Sequence, residues 1–385
     1  ISLGKKFING DKDASHLLDI KPLKFQSTHQ HNNENEITGG FQEATGNIFA
    51  IAQFCGIMPV IGVKIPVVFN TSSACGIWSF GNIAKKWPDI MKFWEKVEIK
   101  LLKYRSRDNR RPLKSQIKLY TISFCVCAVA DHLLTGMSDI FYVNACQPDR
   151  DLMSGFFERQ SMQLLFQITD YELWKGLLGK AVNIMNAFVW NYMNIFIIII
   201  SIGISSGLKQ LNDELKFIRC ESFSEDYWEF RRTQYRSLAE LCEIVDEAIA
   251  PITILALANN LFFVCIQLMK SLRPIESIPH AVYFYYSLIF LLMRTLAILL
   301  FASSIHDESK RPAKVLRMIQ RKVWCTEIER FIEEVVNDTL AISGMRFFHL
   351  TRKLILSVAG TILTYEIVLV QFGQNGAKSV CDDQF

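Results

Sequence analysis

Apolar residues gather into seven stretches along the chain, at roughly 47–63, 66–84, 119–137, 186–206, 251–269, 281–303 and 354–373. A helix needs about 20 mostly apolar residues to cross a bilayer. Five of the seven meet that plainly, most clearly at Phe196-Ile-Ile-Ile-Ile-Ser-Ile-Gly-Ile. The first stretch is short, the second carries Asn70-Thr71-Ser72-Ser73, and only Lys64-Ile65-Pro66 separates the two. The pattern predicts an all-α, polytopic membrane protein. Between the stretches, Leu208, Leu211, Leu215 and Ile218, then Tyr235, Leu238, Leu241 and Val245, recur at near-helical spacing among many charges. Phe331, Ile332, Val335, Val336, Leu340 and Met345 repeat that pattern. Amphipathic helices joined to membrane spans must bury one face, here against each other or against neighbouring subunits.

Composition sharpens this picture. The 385 residues are 50% apolar and 21% charged, with 28 Phe and a net charge of +4. That excludes an ordinary soluble enzyme and a disordered chain, and it is too weakly basic to point to nucleic acid. Charge is also segregated: twelve Lys/Arg lie between Lys85 and Lys118, four in 138–185, six in 207–250, two in 270–280 and ten in 306–353. Cytoplasmic loops carry the excess of Lys and Arg, so 85–118, 207–250 and 306–353 are expected inside and the C-terminal tail outside. Seven spans put the N-terminus inside and six would put it outside, so the parity turns on the short first stretch. The expected organisation is a cytosolic mobile tail at 1–45 and transmembrane helices 1–4 over 46–206, with a cytoplasmic loop at 85–118 and an extracellular loop at 138–185. Cytoplasmic anchor helices follow at 207–250, transmembrane helices 5–6 at 251–305, further anchor helices at 306–353, a last helix at 354–373 and an extracellular tail at 374–385. The chain starts at Ile1, and its first forty residues are polar and unlike a secretory signal. The ten cysteines lie mostly in apolar blocks, where they act as small apolar fillers.

Polar groups inside the apolar stretches carry the candidate chemistry, because a charge there costs at least about 2.5–3.5 kcal/mol on insertion scales. Asp131 and His132 lie in the third stretch, Trp190, Asn191 and Asn194 in the fourth, and Asn259 and Asn260 in the fifth. Tyr283, Tyr285, Tyr286 and Arg294 lie in the sixth, and Glu366 in the last. Sugars present hydroxyls in many directions beside apolar C–H faces, so amides, carboxylates and imidazole next to Trp or Tyr suit them. Asp131, His132, Trp190, Asn191, Asn194, Tyr283, Tyr286 and Glu366 are the candidate sugar-binding residues. The competing reading is that such groups bond each other and hold helices together, with Asn259 and Asn260 as glue, Tyr283 and Trp190 as interfacial anchors, and Arg294 paired with Glu366. No GxSxG, HExxH or Walker loop appears, and no catalytic residue, metal site or cofactor is expected. In the last stretch, positions 361, 364, 368, 371 and 372 share a helical face, which would line a pore if repeated about a symmetry axis.

Thr364-Tyr365, then five residues, then Gln371-Phe372 resembles the signature of insect gustatory receptors. Its surroundings do so more specifically: Ser343-Gly344-Met345-Arg346-Phe347-Phe348, Leu350-Thr351-Arg352-Lys353-Leu354 and Leu356-Ser357-Val358-Ala359-Gly360-Thr361. Met58-Pro59-Val60, Trp87-Pro88, Trp190-Asn191-Tyr192-Met193, Lys209-Gln210-Leu211-Asn212-Asp213 and Ala258-Asn259-Asn260-Leu261 are similar to the sugar-taste branch in particular. The resemblance covers roughly 41–373. It implies the seven-transmembrane-helix insect chemoreceptor fold, with the N-terminus inside and the C-terminus outside. It also implies a sugar-gated, non-selective cation channel in the plasma membrane of gustatory neuron dendrites, working as a homotetramer or a heteromer with other gustatory receptors. The pore and gate would fall on Thr364, Val368, Gln371 and Phe372. A metabotropic seven-helix receptor and a sugar transporter are the alternatives. The connection from Met58-Pro59-Val60 to Trp87-Pro88 is shorter than the family's, so a missing segment near 63–68 and an incomplete first helix are expected.

Overall fold

The computed structural model describes residues 67–102, 113–147, 149, 151–160, 170–216, 223–271 and 277–372, all within the larger of two compact units, 38–385. The expected tails at 1–45 and 374–385, the stretch 47–63 and the short region 63–66 lie outside them. The described residues form helices α1 (Val67–Leu102), α2 (Leu113–Cys146), α3 (Leu152–Gln160), α4 (Leu173–Lys216) and α5 (Glu225–Ser271). They continue with α6 (Ile278–Ser309), α7 (Arg311–Leu316), α8 (Thr326–Asn337) and α9 (Arg352–Phe372). The only non-helical pairing among them is an isolated antiparallel bridge between Ser343 and His349.

Four helices, α2, α4, α5 and α6, are long and apolar enough to cross a membrane among the described residues. Their surfaces explain why. On α2, Leu119, Ile122, Val126, Val129, Leu133 and Met137 are all exposed, spaced by three or four so that they form one stripe. On α6 the matching stripe is Val282, Tyr285, Ile289, Met293, Leu296 and Leu300. Apolar stripes this long and uninterrupted are incompatible with water and suit lipid. α4 is the centre of the bundle: Met193 to Ser205 are buried without a break, so a helix apolar on every side is enclosed by its neighbours. Gly76 lets α1 approach it, since a Cβ there would stand 3.1 Å from both Met193 Sδ and Val189 Cγ1.

The helices overrun the expected span ends. α1 stays helical through Lys85–Leu102, and α2 begins at Leu113, so most of the expected 85–118 loop is helix. The 138–185 segment likewise holds the end of α2, all of α3 and the start of α4. Charged residues on an outward face do not end a helix when the other face stays packed. Ile83, Ile90, Met91, Trp94, Val97 and Leu101 keep α1 on the core well past its apolar stretch. Its last carbonyls are satisfied from other helices: Gln234 Nε2 donates to the Lys100 carbonyl at 2.9 Å and Gln210 Nε2 to the Leu101 carbonyl at 3.1 Å.

The polar halves of α4 and α5 combine with the end of α6, α7, α8 and residues 338–350 into a charged module whose apolar interior is continuous with the core of the bundle. Leu211, Leu215, Trp228, Tyr235, Leu238, Ile305, Leu316, Phe331 and Val335 fill it. Arg231 pairs with Glu214 inside the module, both almost fully buried, and also donates to Gln234 at 2.8 Å. Arg232 binds Glu327 at 2.8 Å and Glu334 at 2.9 Å, fixing α8 to α5. The Arg232 hydrogen bond holds the Glu327 carboxyl below its usual range. Lys310 Nζ donates to the Val335, Val336 and Asp338 carbonyls at 2.9, 3.0 and 2.7 Å, placing a cation on the C-terminal end of α8.

Just before α9 the chain reverses over Gly344–Phe347, closed by Phe347 N–H to the Gly344 carbonyl at 3.0 Å. The two central residues, Met345 and Arg346, have φ of 52° and 62°. Reversals with positive φ at both central positions favour Asn-Gly, and ordinary side chains held there cost about 1–3 kcal/mol each. The double substitution Met345→Asn with Arg346→Gly is therefore expected to raise the stability of detergent-solubilised protein by about 1–2 kcal/mol. A lower thermal midpoint than the parent protein would show that the Met345 and Arg346 side chains hold more than the turn loses.

Candidate functional site

Away from the charged module, four helices bring polar residues together. Trp190 of α4 donates from Nε1 to Asn260 Oδ1 of α5 at 3.0 Å. Asn260 Nδ2 donates to Asn194 Oδ1 at 2.7 Å, and Asn194 Nδ2 returns to the Trp190 carbonyl at 2.5 Å. This closed ring of bonds fixes α4 against α5. The Trp190 ring packs on Phe263 at 4.7 Å and on Phe69 of α1 at 5.6 Å. Beside it, α1 and α4 are joined by Asn186 Nδ2 to Asn70 Oδ1 at 2.5 Å.

Arg294 of α6 lies at the hub and is 4% exposed. Its guanidinium lies 3.8 Å from the Trp190 ring centroid, a cation–π contact. Its Nη1 donates to Asn191 Oδ1 at 3.0 Å. The acid whose charge acts on Arg294 is Asp131 of α2. Asp131 is hydrogen-bonded by Ser287, which also receives Gln267 Nε2 of α5 at 3.0 Å. Tyr286 donates its hydroxyl to the Cys127 carbonyl at 3.0 Å, binding α6 to α2.

Not every polar atom here is satisfied. Arg294 Nε, Asp131 Oδ1, Gln267 Oε1, His132 Nε2 and Asn259 Nδ2 are buried and have no hydrogen-bond partner among the described residues. A buried donor or acceptor left unmade costs about 1–3 kcal/mol, so such atoms call for water or a ligand. They include two donors, from a guanidinium and an amide, two acceptors, from a carboxylate and an amide, and an imidazole nitrogen able to serve as either. That assortment matches hydroxyl groups, each of which both donates and accepts.

Of the sequence-derived sugar-binding residues, Trp190, Asn191 and Asn194 meet around Arg294 and Asn260, and Asp131 joins them through Ser287. Both ends of the Asn194 amide are engaged within the protein. His132 follows Asp131 on α2 and points away from it by helical geometry. Tyr283 stands 6.0 Å from the His280 ring, away from the Trp190 ring of bonds. The Glu366 side chain, with those of Val368, Gln371 and Phe372, lies outside the described residues. The competing pairing of Arg294 with Glu366 falls on a side chain outside the described residues. The sequence names Arg294 among the polar residues of the sixth stretch but not as the hub, and it misses Gln267 and the Asn70–Asn186 bridge. Their signal was the same as for the residues it found: a polar side chain within an apolar stretch.

α9 packs on α5 and α6 through Leu354, Ile355, Val358, Ile362 and Tyr365, all half-buried. The rest of its surface divides in two. Leu356, Leu363 and Ile367 form an exposed apolar arc. Ser357, Gly360, Thr361 and Thr364 form an exposed arc of small and hydroxyl residues. Thr361 and Thr364 bond back to the Ser357 and Gly360 carbonyls, each at 2.9 Å, so this arc stays smooth and weakly polar. Positions 368 and 371 continue the same face toward the end of the helix.

The trehalose receptor family profile matches residues 64–381. The gustatory receptor for sugar taste 64f of Drosophila melanogaster is 36% identical, covering 90% of this chain and 84% of its own length. The gustatory receptor 5a for trehalose, from the same fly, is 38% identical over 80% of this chain and 69% of its own. Among solved structures, the olfactory receptor OR5 of Machilis hrabei in complex with eugenol superposes with a TM-score of 0.50 at 14% identity, covering 89% of this chain and 92% of its own. That likeness shows the insect chemoreceptor fold. Motifs, fold and relatives agree, and this multi-pass membrane protein belongs to the trehalose receptor family, the sugar-taste branch of the insect gustatory receptors.

Proposed function

We propose that the protein is a sugar-gated cation channel of the plasma membrane, in which a sugar bound inside each subunit's bundle opens a pore lined by four copies of α9. The observation that carries this reading is the set of unpartnered buried groups: Arg294 Nε, Asp131 Oδ1 and Gln267 Oε1, drawn from α6, α2 and α5. A polyol seated among them would satisfy donors and acceptors together, with the Trp190 ring offering an apolar face. Asp131, Trp190, Asn191, Tyr286 and Glu366 stay assigned to the sugar, Arg294 and Gln267 join them, Asn194 takes a positioning part, and His132 and Tyr283 fall outside the set.

The division of the α9 surface supports the pore. An apolar arc suits lipid or a neighbouring helix, and an arc of Ser, Gly and Thr suits water. Below it, the charged module gives neighbouring subunits a surface to anchor on. Sugar opens the channel only by binding the open state more tightly than the closed one. In this account, closure of the bundle around the sugar draws on the outer half of α9. Position 372 then leaves the axis, and position 371 lines a wetted path.

The test is expression alone in a cell line, with currents recorded against a panel of mono- and disaccharides. Gln371→Ala and Phe372→Ala are expected to change basal or sugar-evoked current several-fold at unchanged surface amount; parental currents in both would remove the gate from these positions. An epitope at the C-terminus should be accessible in intact cells. If only permeabilised cells expose it, the tail faces the cytosol and a metabotropic receptor becomes the better reading.

A further inference from the structure

Two contacts fix the depth of the chain that leads into α9. Asp246 of α5 accepts from the Ser343 amide at 2.6 Å and from the Ser343 hydroxyl at 2.7 Å. Arg352 Nε, at the start of α9, lies 2.5 Å from Asp307 Oδ2 of α6. Asp246 precedes the apolar stretch of α5 by five residues, and Asp307 follows that of α6 by four. Both contacts therefore lie within about 8 Å of the level where two membrane-crossing helices turn polar. The turn between them is closed by the Ser343–His349 bridge. What this segment presents is amphipathic. Met345, Phe347 and Leu356 are exposed, Phe347 to 80% and Leu356 to 76%. Arg346, Arg352 and Lys353 are exposed too. On a helix of 3.6 residues per turn, Arg352 and Lys353 flank the foot of the exposed apolar arc of Leu356, Leu363 and Ile367. The fold does not explain these residues. Met345 and Arg346 hold positive φ, where Asn or Gly would sit with less strain, and positive charge in the first turn of a helix opposes its dipole.

We propose that the foot of α9 and the turn before it form a site for an anionic phospholipid of the cytoplasmic leaflet. The proposal rests on the membrane orientation and the channel reading given above. The lipid phosphate pairs with Arg352 and Lys353, with Arg346 beside them, and an acyl chain lies along Leu356, Leu363 and Ile367. Arg352 keeps its Nε on Asp307 and leaves its Nη groups for the phosphate, a charge-assisted contact. Phe347 and Met345 seat the turn in the interface. Charge and depth select this occupant: the cytoplasmic leaflet carries the anionic lipids, and cations just beneath a span are drawn to them. An apolar surface with no cations at its foot would suit any lipid, and cations with no apolar arc would suit any soluble anion. The two together suit a molecule with a negative head and an apolar tail. A lipid held there bears on the first turns of the proposed pore helix, so the charge of the inner leaflet bears on the response to sugar.

The test uses full-length receptor in detergent, titrated with dioctanoyl phosphatidylserine, dioctanoyl phosphatidylcholine and glycerophosphoserine, the headgroup without tails. Phosphatidylserine is expected to bind at least about tenfold more tightly than either of the others. Equal binding of phosphatidylcholine would make this a plain lipid contact, and equal binding of glycerophosphoserine a soluble-anion site; either overturns the proposal. Lys353→Gln, at an exposed side chain, is expected to weaken phosphatidylserine about fivefold, the worth of one cation near a charged leaflet. Lys314→Gln with Arg317→Gln, two exposed cations at the end of α7, should leave it unchanged. Equal losses in the two variants would reduce the effect to bulk charge and remove the site. If Lys353→Gln and Phe347→Ser keep the parental lipid affinity but shrink the assembly on size exclusion, a second copy of the chain covers this face and the proposal falls. Binding in detergent is independent of orientation. Parental affinity in Lys353→Gln with the C-terminal epitope outside therefore sinks the site and not the channel reading, whereas the expected loss with the epitope inside keeps the site and sinks the orientation. In liposomes, replacing a third of the phosphatidylcholine by phosphatidylserine should shift the half-maximal sugar concentration at least about twofold in the parental receptor and not in Lys353→Gln. No shift in the parental receptor would overturn the influence on gating.

Discussion

Glu214→Ala is expected to destabilise the receptor by about 3–5 kcal/mol, because it strands the Arg231 guanidinium in an apolar interior. Both side chains are about 95% buried, and the pair is enclosed by Gln234, Tyr227 and the aromatic ring of Phe230. Water cannot take the place of the lost carboxylate there. Arg231 also holds the start of α5 against the end of α4, so its release loosens the two longest helices where they enter the charged module. The measurement is the thermal midpoint of detergent-solubilised protein together with the amount at the cell surface. A paired replacement, Glu214→Leu with Arg231→Met, should lose less than either single change, since it removes the charge along with its partner. Were the single change to cost less than about 1 kcal/mol, the range of an exposed pair, the pair would have to be solvated and the module looser than its packing indicates.

Much of this architecture was legible in the chain, and the reason is physical. The Ile run at 195–204 can only be enclosed or lie in lipid, and Leu208, Leu211 and Leu215 continue its buried side into polar sequence. Periodicity therefore carried the four long apolar helices α2, α4, α5 and α6, the amphipathic module and the polar residues that point inward. It could not give register between helices. How Arg294 comes to stack on Trp190 and reach Asn191 depends on how α6 slides and turns against α4, and one helix's own spacing carries no information about that. The same holds for Asn260, which reads as plain glue on α5 and becomes the hub between Trp190 and Asn194 only when α4 is laid beside it. Helix length was hidden for a related reason: the basic residues after Lys85 look like a loop until Trp94, Val97 and Leu101 are seen to keep one side of α1 buried. The turn at Met345-Arg346 was invisible because it uses none of the residues that ordinarily mark a reversal. Gly344 beside it is explained by Phe348, whose ring lies where a Cβ would stand, with Cζ 2.4 Å from that position.

Arg294→Lys is expected to raise the sugar concentration for half-maximal current at least about tenfold, equivalent to ~1.4 kcal/mol, while basal current and surface amount change little. Lysine keeps the charge that Asp131 requires, so the bundle retains its internal neutralisation. It loses the planar fork that lies on the Trp190 ring and reaches Asn191 at the same time, and with it the unpartnered Nε donor. Arg294→Ala goes further: it leaves Asp131 without a cation in the buried interior and strips Asn191 of its donor, and both surface amount and response should fall. Trp190→Phe separates the two contributions. It preserves an aromatic face for the guanidinium and the sugar but deletes the Nε1 donor to Asn260, so the ring of bonds with Asn194 opens. Its shift in sugar sensitivity should be smaller than that of Arg294→Lys if the guanidinium touches the sugar, and larger if Arg294 only holds Trp190 in place. A purely architectural Arg294 would show itself in a third way. The lysine variant would then reach the surface in reduced amount, while each surviving channel answered sugar at the parental concentration.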